Sequence, residues 1–180
     1  MFTDAEGIRS GAMWGLYFIV VAFVFSFQRV INTVFAGSFT VKFISLEGLL
    51  FLLFLTAVAH IRGYIYLGTK YDSRSLKYTA IVQSVATAFL GFFLLLQIFL
   101  RAFSISDGNI YDALISFCIV VLILAEVFYL YALIKLKKHT GPMSLFAAPL
   151  PFWVVVMWYG WPAILVFIPS ILFLWKESNT

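Results

Sequence analysis

The segment "VVLILAEVFYLYALIKLKKHTG" (Val120–Gly141) decides how the chain is read. From Val120 to Ile134 it is apolar except for one acid, Glu126, and a lysine cluster, Lys135, Lys137 and Lys138, then closes it. An apolar run ending in cations is the pattern of a helix that crosses a bilayer and stops at the headgroups. Along a helix, Glu126 lies about 21 Å from Asp112 and about 13 Å from Lys135, near the middle of a hydrocarbon core about 30 Å thick. A charged side chain there costs roughly 2.5–3.5 kcal/mol on insertion scales, so this acid is expected to face the bundle interior and to seek a partner.

The rest of the chain agrees with that reading. Of 180 residues, 63% are hydrophobic and 11% charged, and the mean hydropathy is +1.03, whereas soluble domains carry about 25% charged residues. Five apolar segments have roughly spanning length: Gly11 to Phe27, Phe43 to Ile61, Tyr78 to Leu100, Ile110 to Ile134, and Trp153 to Trp175. Lipid offers the backbone no hydrogen-bond partner, and the runs are too long and unbroken for barrel strands. The expected fold is therefore all-α: a polytopic integral membrane bundle of five transmembrane helices in one domain, 1–180, with no soluble domain. The opening "MFTDAEGIRSG" lacks the basic start of a secretory signal, so the first segment is expected to be retained.

Charge gives an expected orientation. Arg9, Arg62, Lys70, Arg74, Lys77, Lys135, Lys137 and Lys138 fall on one side of a five-span arrangement, and Arg29, Lys42, Arg101 and Lys176 on the other. The positive-inside rule places the first set, and the N-terminus, in the cytoplasm, with the C-terminus external. A prokaryotic plasma membrane is the expected location. The C-terminal region carries Pro142, Pro149, Pro151, Pro162 and Pro169, and proline breaks or kinks helices. The alternative is a sixth segment, the region turning back as a short hairpin at "YGWP" so that both chain ends share one side.

The polar residues supply the candidate sites. Gln83, Thr87, Gly91, Gln97 and Arg101 recur near one face of the third segment, and Gln83 or Thr87 is expected to meet Glu126. Gly11, Gly15, Ala22, Ser26 and Arg29 form a small-residue stripe on the first, suited to close helix packing. Arg29, Glu47, Gln97 and Arg101 are expected to cluster toward the outer surface, as an orienting salt bridge or as the mouth of an ion or proton path. Arg62, Lys70, Arg74 and Lys77, interleaved with Tyr64, Tyr66, Tyr71 and Tyr78, join Lys135, Lys137 and Lys138 in a basic face that suits anionic lipid headgroups or a partner.

Several chemistries find no support. The single cysteine, Cys118, excludes an internal disulfide and any CxxC motif. His60 and His139 are both expected at the cytoplasmic edge, with spacing that matches no haem or zinc pattern. No GxSxG, HExxH, phosphate-loop or dinucleotide motif occurs, and "SDGN" (106–109) reads as an external turn. No cofactor, metal or nucleic acid is expected. The sequence favours a non-enzymatic subunit or scaffold of a larger membrane complex. A small transporter or proton-coupled carrier using Glu126 is the alternative, and a quinone- or lipid-modifying enzyme comes third.

Overall fold

The computed structural model describes residues 3–34, 46–102, 108–141 and 164–180. Five helices account for nearly all of them: α1 (Asp4–Val34), α2 (Leu46–Lys70), α3 (Arg74–Ala102), α4 (Gly108–Thr140) and α5 (Ile164–Ser178). The first four are long and apolar enough to cross a membrane. The chain is thus an all-α bundle with membrane-spanning helices, as its composition requires.

Local chemistry sets the helix ends. Thr3 and Glu6 form a reciprocal cap at the start of α1: the Glu6 carboxylate accepts from Thr3 N–H at 2.9 Å, and Thr3 Oγ1 accepts from Glu6 N–H at 3.3 Å. The Glu6 carboxyl, held by these bonds and outside the apolar run, is lowered below its ordinary value, chiefly by the Thr3 backbone. The α2–α3 connection is a tight turn in which Asp72 adopts φ +46°, and Ser73 N–H bonds back to Gly68 C=O at 2.8 Å. At the end of α4, Gly141 has φ +78° and its N–H returns to Lys137 C=O at 2.9 Å, a left-handed cap that glycine adopts without strain.

Sequential helices pack side by side, α1 on α2, α2 on α3, and α3 on α4, while α5 packs on α1 and touches α2. A shared apolar core runs through them, with Ile8 and Phe18 from α1, Leu53 and Leu67 from α2, Leu76 and Leu90 from α3, Leu133 and Leu136 from α4, and Phe173 and Leu174 from α5. Glycine governs the closest approach: a Cβ on Gly11 would lie 2.5 Å from Gly63 Cα, and one on Gly63 would lie 2.8 Å from Gly11 Cα. The small-residue stripe of α1 therefore begins one turn earlier than expected, at Gly7, which is covered by the Tyr66 ring.

Of the fifth segment, Trp153 to Trp175, the structure describes the part in α5, a helix of 15 residues, and 153–163 fall outside the described residues. One expectation is corrected: the C-terminus does not lie opposite the N-terminus. Lys70 Nζ donates to Glu177 C=O at 2.7 Å and to Thr180 Oγ1 at 3.0 Å, Tyr71 OH donates to the Glu177 carboxylate, and the Arg9 guanidinium sits 5.4 Å from the Trp175 ring. His139, at the end of α4, stacks on Tyr71 with centroids 6.1 Å apart. The end of α4 and the end of α5 thus meet at the same face, where a count of alternating crossings places them on opposite sides. Lys176 consequently joins the eight cations assigned to the N-terminal face.

Candidate functional site

Close packing of α1 on α2 brings a backbone carbonyl within reach of an imidazole. His60 on α2 bonds to Gly11 C=O through Nδ1 at 2.8 Å and to Ser170 Oγ on α5 through Nε2 at 3.0 Å. A carbonyl only accepts, so Nδ1 carries the hydrogen; in a neutral ring Nε2 then accepts, and Ser170 is its donor. Ser170 Oγ in turn receives the hydroxyl of Tyr64, one helical turn beyond His60, and that hydroxyl also reaches Ser170 C=O at 3.3 Å. Donors therefore point one way, from Tyr64 through Ser170 and His60 to Gly11.

Tyr64 continues the polar track in the other direction. Its ring meets that of Tyr129 on α4 edge-on, with centroids 5.3 Å apart. The Tyr129 hydroxyl approaches that of Tyr64 without reaching hydrogen-bond geometry, and both lie within electrostatic range of Glu126. Glu126, one turn before Tyr129, accepts from Gln83 Nε2 on α3. All five helices thus contribute to one buried belt: Gly11, His60, Tyr64, Ser170, Tyr129, Glu126 and Gln83. His60, Tyr64 and Tyr129 are fully enclosed, and Glu126 is 6% exposed.

The two ends of the belt differ. At His60 each ring nitrogen is bonded. Around Glu126, four buried oxygens make no hydrogen bond: Glu126 Oε1, Gln83 Oε1, Thr87 Oγ1 and Tyr129 OH. Buried polar atoms are paired in the large majority of cases. Thr87 departs even from its neighbours on α3, since Thr79 and Ser84 bond back to the carbonyl four residues earlier, at 2.7 and 2.8 Å.

The sequence-derived candidates fall into three groups. Gln83 and Glu126 meet directly, while Thr87 lies buried one turn from Gln83 without bonding the acid. Gln97 bonds Asp112 across α3 and α4 at 2.6 Å; the side chains of Arg29, Glu47 and Arg101, its expected companions, lie outside those described. On the basic face, Arg62, Arg74, Lys77, Lys135, Lys137 and Lys138 are exposed, Lys135 lies 4.5 Å from the Tyr131 ring, and Lys70 holds the C-terminus.

Sequence reasoning missed His60, Tyr64, Ser170 and Tyr129. His60 lies within the candidate span Gly48–Lys70, because α2 continues to Lys70, ten residues further, or about 15 Å. The missed signal was the interval of four from His60 to Tyr64, which continues the buried face beyond the point where Arg62 interrupts the apolar run. Arg62 is exposed on the opposite side.

The order Ser170, His60, Gly11 C=O resembles a nucleophile, its base and an orienting acceptor. Ser170, however, is 1% exposed and accepts from Tyr64, so in this arrangement it clamps α5 to α2. Among the described residues no group of three or more His, Cys, Asp or Glu is placed to hold a metal ion. No protein-family model, curated protein or solved structure matches the chain.

Proposed function

We propose that the chain is a small proton-coupled membrane carrier in which Glu126 is the group that takes up and releases the proton. The observation that carries this reading is the unbonded Glu126 oxygen among three further unbonded buried oxygens. An acid kept only to hold helices together gains most when both oxygens are satisfied, and a neutral amide does that work at lower cost in lipid. Half-satisfied acids at membrane depth are suited to exchanging a proton or a cation. The basic face is assigned to the cytoplasm, where its lysines and arginines also suit anionic headgroups.

The test uses the full chain in vesicles enclosing a pH-sensitive dye, challenged with gradients of amino acids, sugars and monovalent cations. At least one gradient is expected to drive proton movement, reduced tenfold or more by Glu126→Gln. Proton movement that survives Glu126→Gln unchanged removes the assignment.

The subunit reading keeps one specific support, the outward face of α4, where Phe117, Val127 and Phe128 are each more than 60% exposed. Lipid covers such a face as well as a partner does. Light scattering after mild extraction separates the two: a detergent-embedded monomer with no companion chain rejects the subunit reading.

A further inference from the structure

The geometry points to His60 as a second proton station, joined to Glu126 by the hydroxyls of Tyr129, Tyr64 and Ser170, so that the acid and the imidazole share one proton across the bundle. The inference rests on the reading of Glu126 as a group that changes protonation. Its own support is the direction of the bonds, which the Gly11 carbonyl fixes. Because that carbonyl forces Nδ1 to donate, Nε2 faces Ser170 as an acceptor, and Ser170 faces Tyr64 as an acceptor. A proton leaving Glu126 passes to the Tyr129 oxygen as Tyr129 yields its own to Tyr64, Tyr64 to Ser170, and Ser170 to His60 Nε2. Each hydroxyl loses one hydrogen and gains one. The products are a Glu126 carboxylate and a His60 imidazolium whose Nδ1–H still donates to the Gly11 carbonyl. Tyr129 is the mobile link, since its hydroxyl is fully enclosed and unbonded, its ring meets that of Tyr64 edge-on, and it stands one turn from Glu126 on α4.

The groups facing these two ends are few. Tyr129 of α4 and Tyr64 of α2 are the titratable neighbours of Glu126, and α3 contributes the neutral Gln83 and Thr87. Beside His60 stand Tyr64, the neutral Ser170 of α5 and, from α1, the Gly11 carbonyl.

Infrared pH titration of the full chain in lipid nanodiscs tests this, following the protonated carboxyl band that Glu126→Gln abolishes and the imidazole bands that His60→Gln abolishes. With a shared proton, His60→Gln moves the Glu126 transition to higher pH by about one unit, the size at which two groups titrate as a pair. Glu126→Gln moves the His60 transition to lower pH by the same amount, because coupling is reciprocal. Tyr64→Phe keeps the ring packing, removes one hydroxyl of the chain and shifts both transitions in those directions, whereas a purely through-space effect survives it. A Glu126 transition indifferent to His60→Gln, or both transitions indifferent to Tyr64→Phe, overturns the shared chain and leaves the carrier reading standing. A Glu126 band that never titrates in any background overturns both.

Discussion

Replacing Gly11 with alanine should separate α1 from α2 and break the belt at its first bond. The added Cβ would stand 2.5 Å from Gly63 Cα and 3.2 Å from the His60 carbonyl oxygen. Both are backbone atoms, so no side chain can swing aside. Carbon contacts settle near 3.5 Å or more, which requires the helices to part by about 1 Å. The His60 to Gly11 bond, now 2.8 Å, then exceeds the usual limit of about 3.2 Å. Overpacking costs about 1–3 kcal/mol, and an interhelical bond in lipid averages about 0.6 kcal/mol, so the loss should be about 2–3 kcal/mol. Reversible unfolding by dodecyl sulfate in mixed micelles measures it, with the exposed neighbour Ser10→Ala as a control expected within about 0.5 kcal/mol of wild type. If Gly11→Ala matches that control and leaves the His60 ring nitrogen resonances unmoved, the two backbones do not meet at this point.

Three further outcomes are expected. Glu126→Gln should unfold no more readily than wild type, because the amide removes a buried acid; a loss above about 2 kcal/mol in the same assay would make the carboxyl structural. Gly141→Ala should cost about 1 kcal/mol from backbone strain alone, as its φ of +78° lies in the left-handed region and no atom lies within 4 Å of an added Cβ. Gly141→Asn should cost less, and equal costs for the two would deny the left-handed cap. Tyr71 couples the C-terminus to pH: burial, then the bond to and charge of Glu177, push its phenol from 10.0 up to about 12. A raised value means the contribution is complete below pH 10 and is lost as pH climbs to about 12. A spin label on Ser178→Cys, in a Cys118→Ala background, should gain mobility over that window, and Tyr71→Phe should abolish the step.

The membrane environment and the meeting of Gln83 with Glu126 were legible because both follow from local quantities. Apolar length sets the spans, and an acid at mid-depth next to a helix with a polar face has few partners. The His60 end was not legible. His60 and Ser170 are 110 residues apart, and their contact depends on α5 returning to the N-terminal face, which no periodicity announces. The same return overturned the expected side for the C-terminus. Arg62 misled the reading of α2 because a long cation can lie on a lipid-facing surface while Gly63 and Tyr64, its neighbours, face the interior. Tyr129 was hidden among apolar residues, and nothing in "EVFYLY" distinguishes it from Tyr131, which is exposed on the other side of the same helix.

The central claim is that Glu126 exchanges a proton while enclosed by the bundle, and its most direct test is modification by dicyclohexylcarbodiimide, an apolar reagent that attacks protonated carboxyls. The full chain in vesicles is treated across a pH series, and the adduct is located and quantified by mass spectrometry. One adduct is expected within the spans, on Glu126, forming more slowly as pH rises and the carboxyl loses its proton. No adduct on Glu126 at any pH, or one that forms at the same rate at every pH, contradicts the claim.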